Sequence, residues 1–275
     1  MKDSTYEHLE FKLSELKHRY GANYHLLSDV VLLTELAELS RANTQVARAN
    51  RLVRDIYGSL IRMVVNVEFS RCAHDVTTRM HEYTERAVFS GELIDPYTSA
   101  VVVNIARAGT VAAQTCYEFL TEFLATEHVR QDHIYMNRQT DSSGKVIGTN
   151  YAGSKIGGLV ADSWVLIPDP MGATGGSMAR AVELYKDEVV APKDQPAPKI
   201  IAMHLIVTPE YLRHMAKHHS DVMVYAVRLD RGMSDEDVLT TPLGTCSDRE
   251  YGLTDKQYIV PGLGGLGEIL NNSFV

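Results

Sequence analysis

The sequence predicts an α/β fold: a mostly parallel sheet with flanking helices, a helical segment ahead of it and a small hood near the C-terminus. Three observations point there. From residue 100 onward, short β-branched or apolar runs alternate with stretches of helical spacing. The links between them are short, and strands joined through helices pair in parallel. The composition is globular: 275 residues, 45% hydrophobic and 23% charged, with 19 glycines and 9 prolines. Such a chain buries about 70% of its unfolded surface, so it needs no covalent staples. Its cysteines, Cys72, Cys116 and Cys246, are far apart and form no CxxC pair, which argues against a disulfide framework or a zinc cluster.

Residues 1–22 form an N-terminal extension, charged throughout and without the apolar stretch of a secretory leader. Residues 6–20 are amphipathic and are expected to pack on a partner subunit. No apolar run approaches about 18 residues, so no membrane partner is expected and the expected location is the cytoplasm. A net charge of -8 argues against nucleic acid as a partner. The domain proper spans residues 23–275. Residues 30–39 and 47–65 carry helical spacing, with Leu52, Ile56, Leu60, Met63 and Val64 on one stripe.

Residues 100–105 (AVVVNI) read as a buried strand, followed by Ala106-Arg107-Ala108-Gly109 and a helix to about residue 124. A second strand at 164–167 leads through a glycine-rich turn to a helix over 178–188. A third strand spans 199–207, and Thr208-Pro209 opens a helix to residue 218. A fourth strand covers 222–227. Residues 137–151, centred on Ser-Ser-Gly, read as a flexible hairpin, and the three prolines of 186–199 mark a surface connection. The polar stretch 231–257 is an inserted segment, expected either to cover a site or to be disordered. In parallel sheets ligands sit at the carboxyl ends of the strands, which points to the turns after Ile105 and Ile167.

The chemistry concentrates in the second turn. There a hydrophobic strand delivers one acid, Asp169, to a loop of small residues that opens a helix. Glycines let amides approach an anion, Thr174 and Ser177 add hydroxyl donors, and the helix start adds a positive dipole end. This is a phosphate cradle, with Asp169 placed to accept hydrogen bonds from sugar hydroxyls beside the phosphate. It lacks the lysine of a Walker loop and the spacing of a dinucleotide fingerprint.

Asp169-Pro170-Met171-Gly172-Ala173-Thr174-Gly175-Gly176-Ser177 resembles the phosphoribosyl-pyrophosphate (PRPP) loop of the uracil phosphoribosyltransferases. The Pro-Met pair separates that family from other type I phosphoribosyltransferases. Arg107-Ala108-Gly109 is similar to the family's pyrophosphate loop, and residues 133–138 resemble a segment whose arginine, here Arg138, also reaches PRPP. Residues 258–264 (YIVPGLG) match its base-binding motif. The resemblance spans about residues 22–275. It implies a type I phosphoribosyltransferase fold and transfer from PRPP to a pyrimidine base, with uracil giving UMP and pyrophosphate. Asp169 is then the catalytic residue, and Ile259, Gly264, Gly265 and Leu266 meet the base. Magnesium is carried with PRPP, no protein metal site is implied, and the subunits form a homodimer or homotetramer.

This chain departs from the family at Gly265, where an aspartate is usual. Glu268 is the nearest acid, and Asp235, Glu236 and Asp237 are the others. Gly172 stands where a leucine is usual. Two other readings stay open: a different base, or a relative that binds PRPP or nucleotide without turnover. His204, His214, His218 and His219 cluster without a third metal ligand and read as a solvated helix face. Cys116 and Trp164 read as core.

Overall fold

Apolar faces set the layers of this molecule. A computed structural model of the chain describes residues 3–140, 146–188 and 197–273. Strand β1 (Tyr24–Leu26) precedes α1 (Val30–Leu39), whose first turn is capped by the Asp29 carboxylate accepting from the amides of Val31 and Leu32. Helix α2 (Val46–Glu68) buries Leu52, Ile56, Leu60 and Val64 completely, with Met63 partly covered. Each such aliphatic side chain contributes about 2 kcal/mol.

Strands β2 (Arg71–Thr77) and β3 (Val88–Ile94) then pair antiparallel as a separate hairpin. The reading of the first third as helical misses it. Its residues are exposed or half-buried except Gly91, so the sequence carries no alternation of buried and solvated positions.

β4 (Ala100–Ala106) is followed by α3 (Thr110–Thr121), β5 (Val129–Thr140) and β6 (Val146–Lys155). Next come β7 (Trp164–Pro168), the short β8 (Met171–Gly172) and α4 (Gly176–Glu183), which continues as a π-helical turn over Leu184–Glu188. Strand β9 (Lys199–Val207), α5 (Pro209–His218) and β10 (Met223–Leu229) complete the alternation, and α6 (Glu236–Leu239) and α7 (Leu266–Asn271) close the chain. The strand order is β1-β10-β9-β7-β4-β5-β6, with β8 added to β9. Every pairing in it is parallel except β5 with β6. The tip of the expected 137–151 hairpin and the proline-rich connection around 189–196 lie outside the described residues.

Helices α2 and α3 cover one face of the sheet; α4 and α5 cover the other. The chain leaves β4 toward β5 and leaves β7 toward β9, in opposite directions across the sheet. The gap above the neighbouring ends of β4 and β7 is therefore the switch point of the topology, where such sheets bind ligands.

Part of the N-terminal extension packs on the domain itself. The Leu16 amide donates to the Leu26 carbonyl, the Ser28 amide to Ser14, and the Arg19 amide to Leu243. Residues 14–20 thus pack on this chain's own β1 and inserted segment. That segment, 231–257, is ordered and cross-tied. Glu250 is fully buried and pairs with Arg231 at 2.9 Å. It also accepts the Gly244 amide and the Tyr20 hydroxyl. Arg231 donates further to the carbonyls of Leu239 and Thr241. Breaking one side of a buried pair strands the other charge. Arg231→Met is therefore expected to cost about 3 kcal/mol, read as a lowered urea midpoint. Arg249→Ala, whose partners Asp235 and Asp237 are largely exposed, should leave that midpoint in place.

Candidate functional site

Two turns meet at the switch point. After β4 the chain passes through Ala106 and Arg107, joined by a cis peptide, to Gly109, the N-cap of α3. A Cβ on Gly109 would lie 2.8 Å from the Ile105 carbonyl oxygen and 3.0 Å from that of Pro168. The turns after β4 and β7 are thus in contact, and glycine is what lets them approach. Arg107 is exposed, and its Nη1 donates to the Ser273 hydroxyl at 2.9 Å.

The Asp169–Ser177 turn divides in two. Its first half belongs to the sheet. The Pro170 carbonyl accepts from the amides of Leu205 and Ile206, and the Gly172 carbonyl accepts from Thr208. Gly172 is small because Val207 and Tyr211 fill the adjoining space; a Cβ there would lie 2.9 Å from Val207 Cγ1 and 3.1 Å from the Tyr211 ring. The second half faces the gap. The Thr208 hydroxyl holds the Ala173 carbonyl at 2.6 Å, and Thr174 leads to Gly175, the N-cap of α4. Gly175 adopts φ 88°, a left-handed conformation, beneath the His214 ring. As a glycine it offers no capping side chain to the helix start at Gly176.

Asp169 is gripped by its main chain on both sides. Its amide donates to the Met203 carbonyl at 3.0 Å, and its carbonyl accepts from His204 Nδ1 at 2.5 Å. His204 Nε2 lies 2.7 Å from the Tyr211 hydroxyl, and the Tyr57 hydroxyl donates to Met203 at 3.0 Å. Because Nδ1 must donate to a carbonyl, Nε2 accepts, and the tautomer is fixed. Burial pushes the His204 imidazole down to about 4, against the pull of that carbonyl. Burial first, and then the Asp169 charge, push the Tyr57 and Tyr211 phenols well above their ordinary range.

His204 is therefore not part of a solvated helix face. It is a fully buried residue of β9, and the sequence signal was a single polar side chain inside an apolar strand run. Tyr57 and Tyr211 were missed because each reads as core. His214 and His218 do share a face of α5, with ring centroids 4.7 Å apart. Cys116 and Trp164 are core, as expected.

The third segment, residues 258–266, packs against the first turn. A Cβ on Gly267 would lie 3.3 Å from that of Ala108. Gly265 is the N-cap of α7, and a Cβ built on it would lie 2.5 Å from Glu268 Oε2. The Glu268 carboxylate thus occupies the space a side chain at 265 would fill. Asp235 and Asp237 are instead engaged by Arg249. Ile259 is buried and Gly264 turns at φ 67°. Arg138 lies on β5 opposite Thr149, and its side chain is outside what the structure describes. A polar cavity of about 180 Å³, lined by Asp95, Thr98, Asp162 and Lys199, opens at the amino ends of the strands and shares no residue with these turns.

A family model described as uracil phosphoribosyltransferase matches residues 26–253. The uracil phosphoribosyltransferase of Caldanaerobacter subterraneus is 26% identical over 151 residues, 55% of this chain and 64% of that protein. That of Thermus thermophilus is 30% identical over 151 residues, again 55% and 64%. The matched stretch thus spans less than two thirds of these relatives. The AQ2163 protein of Aquifex aeolicus is similar in structure, with a TM-score of 0.67, 19% identity, and coverage of 90% of this chain and 97% of that one. Among the described residues no helix is long and apolar enough to cross a membrane.

The buried imidazole has a consequence in acid. The unfolded chain binds a proton at His204 near pH 6.5 and the folded chain only near 4. Stability carried by the neutral ring is full above 6.5 and drains as pH falls toward 4, by on the order of 3 kcal/mol. His204→Asn keeps a donor for Asp169 and cannot titrate. Its urea midpoint is expected to fall less steeply than the wild type's between pH 6.5 and 4; parallel slopes would disprove the assignment.

Proposed function

The chain belongs to the uracil phosphoribosyltransferase family, and from that premise we propose that it transfers the phosphoribosyl group of PRPP to a pyrimidine base, uracil first among them, releasing pyrophosphate. The observation that carries this reading is the meeting of three segments distant in sequence at the switch point: the Arg107 turn, the Asp169–Ser177 turn and the start of α7. A phosphate, a sugar and a base need three such surfaces.

In this reading the amides and hydroxyls of Ala173 to Ser177 hold the 5-phosphate at the start of α4. Asp169 accepts from the ribose hydroxyls. Arg107 exchanges the Ser273 hydroxyl for pyrophosphate oxygens, which suit its planar fork, and Arg138 joins it. Magnesium enters as part of the PRPP substrate. A base nitrogen attacks C1 of the ribose while the bond from C1 to the pyrophosphate oxygen breaks, through an oxocarbenium-like state. The chain contributes position and charge: the Asp169 carboxylate lies near the carbon that becomes positive, and its main-chain anchors keep it there. The backbone of Ile259, Gly264, Gly265 and Leu266 orients the base. Glu268 supplies the carboxylate that Gly265 lacks.

Pyrophosphate release from Mg-PRPP with a panel of bases tests the reading. Release with uracil supports it. Release only with another base moves the substrate, and nucleotide binding without release for any base makes the protein a regulator. Asp169→Asn is expected to lower release about a hundredfold while the KM for PRPP changes far less; unchanged turnover would make Asp169 structural.

The Glu268 assignment has its own test. Glu268→Gln should lower turnover about tenfold, the worth of one charge-assisted hydrogen bond. Gly265→Asp alone should also lower it, because it crowds the Glu268 carboxylate. The pair Gly265→Asp with Glu268→Ala, which clears that space, should recover activity. Full activity in Glu268→Gln would remove Glu268 from the site.

A further inference from the structure

One buried carboxylate has no role so far. Asp230 follows β10 and is 1% exposed. Its amide donates to the Val207 carbonyl at 2.9 Å, which ties it to the end of β9. Its Oδ1 takes Arg228 Nε at 2.5 Å, and its Oδ2 accepts the Gly262 amide at 2.8 Å. Gly262 sits at φ 62°, where the 258–266 segment doubles back. On its N-terminal side, Val260 donates to Gly252 and accepts from Gly232, both in the inserted segment. The inserted segment thus holds one side of this turn, and the sheet holds the other through Asp230.

We infer that Asp230 is the positioning residue of the base turn: its carboxylate, held between Arg228 and the Gly262 amide, sets where Ile259 and Gly264 stand relative to the end of the sheet. A carboxylate accepting an N–H in a dry site makes a stronger bond than a neutral acceptor and fixes direction as well as distance. The partners of its carboxylate, Arg228 and the Gly262 amide, belong to neither of the turns that hold Arg107 and Asp169. Its loss therefore loosens the grip on the base and spares the grip on PRPP. The link to the base rests on the proposed transferase reading; the pin itself does not.

The test uses the full chain with Asp230→Ala and Asp230→Asn. Hydrogen exchange of the peptide covering residues 258–266 reads the pin directly, with residues 172–180 as the internal reference. In Asp230→Ala we expect exchange in the first peptide to rise about tenfold or more and the second to stay unchanged. The KM for the base should rise by a similar factor, with the KM for PRPP within about twofold. Asparagine offers one oxygen where the carboxylate offers two, so it cannot serve both Gly262 and Arg228. It should show a smaller shift in the same direction, about threefold, and it carries the test if the alanine variant does not fold. Wild-type exchange at 258–266 in the variants overturns the pin whatever the turnover. Faster exchange with an unchanged base KM, or base and PRPP KM values rising together, overturns the link to the base. If the wild type releases pyrophosphate with no base, the transferase reading fails, and the exchange result decides the pin alone.

Discussion

Everything at the carboxyl end of the sheet depends on the divergence of the chain at β4 and β7. These neighbours are parallel, and their following helices go to opposite faces. No helix can then cover the ends of both strands, and a gap stays open between the starts of α3 and α4. The two turns bordering it touch where Gly109 makes room for the Pro168 carbonyl, and Gly175 makes room for the His214 ring of α5. Helix starts present amides, so the gap carries positive potential before any side chain is added. Arg107 adds charge to one rim, and α7 packs on the other side of the same turn at Ala108. The topology dictates the place, and small residues let the backbone come within reach of an anion.

A second constraint fixes the acid at that place. Asp169 is anchored through its N–H and its C=O. Both anchors are on β9, at adjacent residues, and the Met203 carbonyl is shared with the Tyr57 hydroxyl. The layer beneath is uncharged at neutral pH, because burial holds His204 in its neutral form and the Tyr57 and Tyr211 phenols in theirs. A hydrogen-bonded neutral layer costs far less to bury than a charged one and still orients what it touches. Packing and main-chain hydrogen bonds thus place Asp169 at the end of the strand.

The parts of this arrangement that are local in sequence were legible in it. The alternation of strand and helix after residue 100, the acid before the glycine-rich turn and the Thr208-Pro209 helix start each fit within a dozen residues, and each has a local physical cause. The parts that were not legible depend on long-range pairing. β1 is three residues long and exists through β10, more than 190 positions away in the chain's order, as the register of Tyr24 with Val224 shows. The β2–β3 hairpin buries too little to impose a period. Tyr20, Arg231 and Glu250 become one cluster only when the N-terminal residues lie on the inserted segment. Gly172 looked like a departure from the motif, and its reason, the bulk of Val207 and Tyr211, lies on other elements. His204 was misread because proximity to other histidines outweighed its position inside an apolar run.

The exchange at the start of α7 follows from helix geometry. In the first turn of a helix, the side chain three residues inside reaches back to the N-cap. Gly265 is the N-cap of α7 and Glu268 is that third residue, with its amide bonded to the Gly265 carbonyl at 3.0 Å. An aspartate at 265 and a glutamate at 268 would therefore deliver a carboxylate to the same small volume, and two charges there would repel. With no side chain at 265, Glu268 has that volume to itself. The carboxylate stays at the positive end of the helix, where it is favourable. It now hangs on a longer stem with one more rotatable bond, so ordering it costs more side-chain entropy than an aspartate would.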